Sequence, residues 1–341
     1  MAEVRREITK GTWTIVAPAR GDRPFDFSSP EGSEKRKKYV ETCPFCPGNE
    51  SETPEEVDAI RSDEDEPSSW QVRVFPNKFP ALDPEGSPAV IEGDLFKSRG
   101  GYGFHEVLVE TPRHDRKLAE LSPREIELVI RTYLNRLKVL RSKPDISYVS
   151  LFKNQGKRAG ASLEHSHSQI MATTFTPSLL LREYELASEY HKRKGSCLYC
   201  DVIDGEKKKR ERVVFENELF IVICPYGSRF PYETRIIPKR HSRDFGGITD
   251  AEGSELGTTI KKALSGLFGV LGDFPYNYVI HTANPEIMEN RLGSGESFHW
   301  HLEITPRLTT QAGFERGTED YINIVSPEKA AARLREELKE G

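Results

Sequence analysis

The constraint that most limits how this chain can fold is that it is written twice. Cys43-Pro-Phe-Cys46, Val74-Phe-Pro-Asn77, Pro112-Arg-His114, a helical stretch and His165-Ser-His167 follow one another in the first half. Cys197-Leu-Tyr-Cys200, Val214-Phe-Glu-Asn217, Pro238-Lys-Arg-His241, a second helical stretch and His299-Trp-His301 follow in the second. Five landmarks in one order, with loops of unequal length between them, identify two copies of a single unit. Each copy reads as α+β, with strands before and after one strong helix. Domains over 1–177 and 178–341 are expected, each with antiparallel sheet and packed helices.

The helices carry their own boundaries. Leu121-Ser122-Pro123-Arg124-Glu125 supplies an N-cap serine, a proline at the first helical position and a glutamate at the third. Ile126, Ile130, Leu134, Leu137 and Leu140 then recur at helical spacing. The counterpart begins near Thr249-Asp250 and runs through Leu256, Ile260, Leu264, Leu267 and Val270. Strands are expected at Phe104–Glu110, Ile146–Phe152, Glu233–Ile237 and Tyr276–Ile280. The acidic, Pro- and Ser-rich stretch 48–69 reads as a solvated loop. Leu180–Lys194 reads as a linking helix and Pro327–Lys339 as an amphipathic C-terminal one.

Charged residues are 30% of the chain, apolar ones 36%, and the net charge is −5 without a dense basic block. Nucleic acid is therefore disfavoured as a partner. The longest clean apolar run, about Leu219 to Cys224, is far short of the ~20 residues that a membrane helix needs. The charged N-terminus lacks the apolar core of a signal peptide, so no membrane association and a cytoplasmic location are expected. In a reducing compartment, Cys-x-x-Cys pairs serve metals or redox chemistry more often than disulfides. Cys224, the fifth cysteine, reads as a small buried hydrophobe.

Cys43-x-x-Cys46 alone fits a zinc knuckle, a redox pair or coincidence. His114 and His165 complete a Cys2His2 set, the ligand type and number that tetrahedral zinc prefers. Cys197, Cys200, His241 and His299 repeat the set in the second copy, with iron as an alternative occupant there. A redox reading would not predict two copies with matched histidines.

An isolated His-x-His is usually a pair of metal ligands or of surface histidines. Here His165 is claimed by the metal set, which leaves the imidazole of His167, two residues along an expected strand, as a nucleophile toward phosphorus. Gln169 shares that face, and its amide can donate to a phosphoryl oxygen in the transition state. Just upstream, Asn154-Gln-Gly156-Lys-Arg158-Ala-Gly160-Ala161-Ser162 offers glycines, cations and small polar groups suited to a pyrophosphate.

These segments resemble the galactose-1-phosphate uridylyltransferase family of the histidine-triad superfamily. The resemblance is carried by Cys43 through Glu50, Arg73 through Pro80, Asn154 through Gln169 and Phe298 through Glu303. It implies a duplicated histidine-triad-like fold and a ping-pong reaction. His167 would take UMP from UDP-glucose and pass it to a hexose 1-phosphate, with Gln169 holding the phosphoryl oxygens and favouring transfer over hydrolysis. Asn77, Asn154, Gly160, Ala161 and Ser162 match family positions that contact the nucleotide and its phosphates. Arg20 and Arg23 resemble arginines near the site.

A homodimer is implied as well, with Gly313-Phe314-Glu315 in the segment lent to the partner. Glu303 stands where Gln169 does, so the second copy is implied to be scaffold. Two departures are visible: Ser166 replaces the proline of the classical His-Pro-His, and Ile322 lies near where a glutamine is usual. Both resemble the branch containing ADP-glucose phosphorylase, in which inorganic phosphate accepts an adenylyl group. A third reading, a non-catalytic zinc-binding interaction module, would leave Asn154 through Gln169 unexplained.

Overall fold

A computed structural model of the chain describes residues 2–19, 36–284 and 297–340. Fifteen strands lie among the described residues: β1 Glu3–Arg6, β2 Trp13–Val16, β3 Asp58–Arg61, β4 Trp70–Pro76, β5 Val90–Glu92, β6 Lys97–Arg99, β7 Gly103–Val109, β8 Tyr148–Gln155, β9 His167–Thr173, β10 Val213–Glu216, β11 Phe220–Ile223, β12 Thr234–Pro238, β13 Tyr276–His281, β14 His301–Pro306 and β15 Tyr321–Asn323. The longer helices are α1 Pro123–Arg141, α2 Ser178–Lys194, α3 Leu198–Lys209, α4 Asp250–Leu271 and a C-terminal helix Pro327–Glu340.

Contacts divide the chain into two compact units. One comprises Lys35–Lys153 with Leu163–Pro177; the other comprises Met1–Glu34, Asn154–Ser162 and Ser178–Gly341. In the first, the strands run β3-β4-β7-β9-β8, every neighbouring pair antiparallel. In the second they run β10-β11-β12-β14-β13, again all antiparallel. Each order takes its strands as first, second, third, fifth and fourth in sequence. Moreover, α1 and α4 each connect the third strand to the fourth. The repeat in the sequence is thus a repeat of topology.

The caps form as the sequence specifies. Ser122 and Glu125 close a capping box with Pro123 in the first turn of α1, and Thr249 and Glu252 do so for α4. Such a box is worth about 1 kcal/mol, while each fully buried aliphatic side chain is worth about 1.5–3 kcal/mol. Burial of Ile126, Val129, Ile130, Leu137 and Leu140 therefore holds α1 in place, and the cap sets where it begins. Leu134 is only half-buried, and its neighbour Tyr133 takes the inward position instead.

The stretch 48–69 is not only a loop. It contains β3, an edge strand whose Asp58 accepts a hydrogen bond of 2.7 Å from Asn135 of α1. Pairing with β4 and that contact overcome a composition poor in strand formers, and a charged sequence suits a sheet edge. Beside the repeated sheet, the second unit holds a small sheet in which β2 pairs antiparallel with β1 and parallel with β15. Cys224 is fully buried. No helix among the described residues is long and apolar enough to cross a membrane.

Candidate active centre and metal sites

In the first unit, Cys43 and Cys46 lie in consecutive turns over a core of Phe45, Trp70, Phe75, Val107 and Val109. Cys43 Sγ is 3.7 Å from His165 Nδ1, and Cys46 Sγ is 3.6 Å from His114 Nδ1 and 3.7 Å from His165 Nδ1. Bonds of about 2.3 Å to sulfur and 2.0 Å to nitrogen at tetrahedral angles require S···N edges of about 3.5 Å. The four side chains therefore fit a zinc-sized ion. His165 Nε2 donates to the Thr111 carbonyl at 2.8 Å, which turns Nδ1 toward the thiols. Without an ion, burial pushes the Cys43 thiol up to about 11 and holds His165 down to about 4. An arrangement of close, buried sulfur and nitrogen lone pairs is what a cation would stabilise.

The second unit repeats the set. Cys200 Sγ is 3.5 Å from His241 Nδ1 and 3.7 Å from His299 Nδ1, while His299 Nε2 donates to the Pro238 carbonyl at 2.9 Å. Cys197 is the N-cap of α3, a helix the sequence reading did not foresee. In each group the four ligand atoms lie within 4.8 Å of one another, but Cys43, Cys46 and His165 of the first are buried and His114 half-buried, whereas His241 of the second is exposed.

A further group, Glu183, His281, His301 and Glu303, has metal-ligand side chains but does not need a metal. The Lys10 ammonium donates to Glu183 and lies 3.1 Å from Glu303 Oε1, and Arg235 donates to Glu303 at 2.7 Å. Burial alone would raise the Glu183 carboxyl. The charges of His281 and Lys10 instead hold it far below the usual range. Protein cations already neutralise these carboxylates, so the group is an ion-pair network.

His167 opens β9, whereas His165 lies just before the strand, a correction to the expectation that both stand on it. The reason is that His165 is drawn off the ladder by its thiol and carbonyl partners. His167 is buried, with the edge of Phe45 against its ring at a centroid distance of 5.3 Å. Its Nδ1 lies 2.7 Å from the His165 carbonyl oxygen. A carbonyl only accepts, so Nδ1 carries the proton and Nε2 is left with a lone pair. Burial, then the nearby Lys153, lower the pKa of His167 and keep the ring neutral.

Beneath it lies a network that the sequence reading missed. Lys153 Nζ donates to Glu110 Oε2 at 2.6 Å, to Ser166 Oγ at 3.1 Å and to the His167 carbonyl at 2.9 Å. Ser166 Oγ donates to the same Glu110 oxygen at 2.6 Å. Ser166 is therefore a structural link that a proline could not provide. The available signal was a lysine and a glutamate in segments otherwise built for burial.

Gln169 follows His167 on the same face of β9, and its Oε1 accepts from His105 Nε2 at 2.7 Å. Asn77 lies beside them, with its Nδ2 3.3 Å from that nitrogen. The Asn154–Ser162 segment belongs to the second unit. There, Gly156 and Gly160 take the positive φ values (81° and 93°) that let it turn around the short helix Lys157–Ala159. Asn154 Oδ1 accepts from Asn277 at 2.7 Å, and the Ala161 amide donates to the Gly156 carbonyl at 3.2 Å. Gly313, Phe314 and Glu315 begin a short helix, with Phe314 exposed. Arg20 and Arg23 lie outside the described residues.

The second copy mirrors the histidine geometry but not the chemistry. His301 Nδ1 lies 3.1 Å from the His299 carbonyl, yet Glu303 stands where Gln169 does, and its carboxylate is bound by Arg229, Arg235 and Lys10. It can only accept and is already occupied.

Models of the galactose-1-phosphate uridyl transferase N-terminal and C-terminal domains match residues 1–177 and 183–340. An ADP-glucose phosphorylase from Arabidopsis thaliana is 35% identical over 98% of this chain and 92% of its own length. A galactose-1-phosphate uridylyltransferase from Thermotoga maritima is 30% identical over 98% of both. The crystal structure of the Arabidopsis enzyme with bound ADP-glucose matches with a TM-score of 0.84 at 34% identity, covering 98% of each chain.

Proposed function

The chain belongs to the galactose-1-phosphate uridyl transferase family, and from that premise we propose that it transfers a nucleoside monophosphate through His167. Nε2 of His167 attacks the α-phosphorus of a nucleotide sugar, forming an N–P bond as the bond to the sugar-phosphate oxygen breaks and hexose 1-phosphate departs. An acceptor phosphate oxygen then attacks the same phosphorus and releases the histidine. The observation that carries this reading is the 2.7 Å contact of His167 Nδ1 with the His165 carbonyl, which leaves the nucleophilic lone pair on Nε2. Gln169 supplies an amide donor to the phosphoryl oxygens.

Two donor–acceptor pairs fit this chemistry. ADP-glucose with inorganic phosphate is favoured by the higher identity to the Arabidopsis phosphorylase and by Ser166, whose hydroxyl is built into the Lys153–Glu110 network. UDP-glucose with galactose 1-phosphate is favoured by the family as a whole and by the Thermotoga relative. In both readings Asn77, Asn154, Gly160, Ala161 and Ser162 contact the nucleotide and its phosphates, with Arg20 and Arg23 nearby. Gly313, Phe314 and Glu315 complete the site of a partner copy in a cytoplasmic homodimer. The Cys43 and Cys197 sets hold structural zinc, with iron an alternative in the second. Zinc there ties turns to strand ends, and the domains over 1–177 and 178–341 are its two frames.

The test is incubation with α-32P-labelled ADP-glucose or UDP-glucose without acceptor. Acid-labile, alkali-stable label on the protein, absent from His167→Ala, is expected, and the better donor identifies the base. No label from either donor overturns the reading.

A further inference from the structure

We propose that His105 is a positioning residue that sets which end of the Gln169 amide faces the reacting phosphoryl group. The proposal rests on the reading of His167 as the nucleotide carrier. It starts from strand register: Val107 of β7 stands directly opposite Gln169 of β9, and His105 is two residues earlier on the same face. Its ring thereby reaches the Gln169 side chain diagonally. Asn77, just beyond β4, is tied to the same position, because its amide donates to the His105 carbonyl at 2.7 Å.

The direction of each hydrogen bond follows from one group whose role is unambiguous. The backbone N–H of Ala81 donates to His105 Nδ1 at 3.2 Å, and a backbone N–H cannot accept. Nδ1 therefore holds the lone pair, and in a neutral imidazole Nε2 carries the proton. That proton lies 2.7 Å from Gln169 Oε1, so the carbonyl end of the amide is the end that is held. The 3.3 Å approach of Asn77 Nδ2 to Nε2 brings together two protonated nitrogens and is not a competing bond. Asn77 has its own orientation fixed by the Phe79 amide, which donates to Asn77 Oδ1 at 2.9 Å.

What remains is the Gln169 NH2, which has no hydrogen-bond partner among the described residues. An amide is nearly symmetric in shape, and a flipped Gln169 would present its oxygen to a phosphate oxygen and repel it. His105 removes the flip, because its Nε2–H would face an NH2 if the amide turned over. The relay from the Ala81 N–H through the imidazole to Gln169 thus presets a donor for developing phosphoryl charge. No proton moves along it and no bond is made or broken. His105 acts on the reaction through Gln169.

The experiment measures single-turnover formation of labelled nucleotidyl-protein at saturating nucleotide sugar in wild type, H105F, H105Q and H105E, with Kd measured separately. Labelling of the wild-type protein establishes the carrier reading first. If the wild type takes no label, that reading has failed, and this proposal with it. Given labelling, H105F should slow the step by about 10- to 100-fold with Kd changed less than about threefold. H105Q, whose amide can donate to Gln169, should recover most of the rate. H105E, of the same size but able only to accept, should stay slow. In a Q169A background, H105F should slow the step by less than about twofold.

Equal rates for H105Q and H105E would overturn the proposal even if H105F did not fold. So would a full H105F effect in the Q169A background, or a change confined to Kd.

Discussion

Lys153 and Glu110 form a 2.6 Å ion pair in which both side chains are wholly buried. The second carboxylate oxygen of Glu110 has no hydrogen-bond partner among the described residues. All three protons of the ammonium are used, one of them on the His167 carbonyl. The charge pair is thereby coupled to the backbone at His167.

Removing one partner leaves the other as an unpaired buried charge. Lys153→Met is expected to destabilise the chain by about 3–5 kcal/mol. Lys153→Met with Glu110→Gln should recover much of that, because no charge is then left behind. Urea unfolding of the three proteins measures both, and equal losses in single and double variants would refute the coupling.

Gln169→Glu replaces the proposed donor with a carboxylate, as the second copy already does at Glu303. Nucleotidyl-protein formation should slow by about 10²–10³-fold while the melting temperature stays near that of the wild type. A rate within a few-fold of wild type would remove Gln169 from the mechanism.

Metal should leave the two Cys/His sets at different rates. His241 is exposed and Cys200 half-buried, whereas in the Cys43 set three residues are buried and His114 is half-buried. Challenge with a chromophoric chelator is expected to release the ion of the Cys197 set first and that of the Cys43 set only on unfolding. Cys46→Ala, which removes a thiol facing both His114 and His165, should lower metal content by one ion per chain and lower the melting temperature. Elemental analysis and calorimetry read the two effects.

A pH effect is expected at the start of α4. The Glu252 carboxyl is held below the ordinary glutamate range, first by hydrogen bonds from Arg240 and then by the cap at Thr249, against partial burial. Its folded pKa is therefore lower than its unfolded value of about 4.3. The stabilisation is complete above that value and is lost as pH falls through the folded pKa. Glu252→Gln should melt below wild type at pH 7, and the difference should close in acid. A gap that persists unchanged at pH 3 would exclude ionisation as its source. Because Arg240 is half-exposed, the gap should be small.

The sequence alone determined the duplication, the membership of the two Cys/His clusters and both helix starts, and it singled out His167 and Gln169. These rest on short patterns of residue type and spacing: thiols three apart, a capping box, histidines two apart beside an amide. Tertiary structure decided what lies between distant segments. Glu110, Lys153 and Ser166 meet only because β7, β8 and β9 are neighbours, and His105 reaches Gln169 only because Val107 is in register with it. A shift of one residue would turn those side chains to the other face of the sheet. The acidic stretch around Asp58 likewise became a strand through pairing with β4, which its own composition does not favour. Strand register is set by the sum of packing over whole sheets, and no short segment contains it.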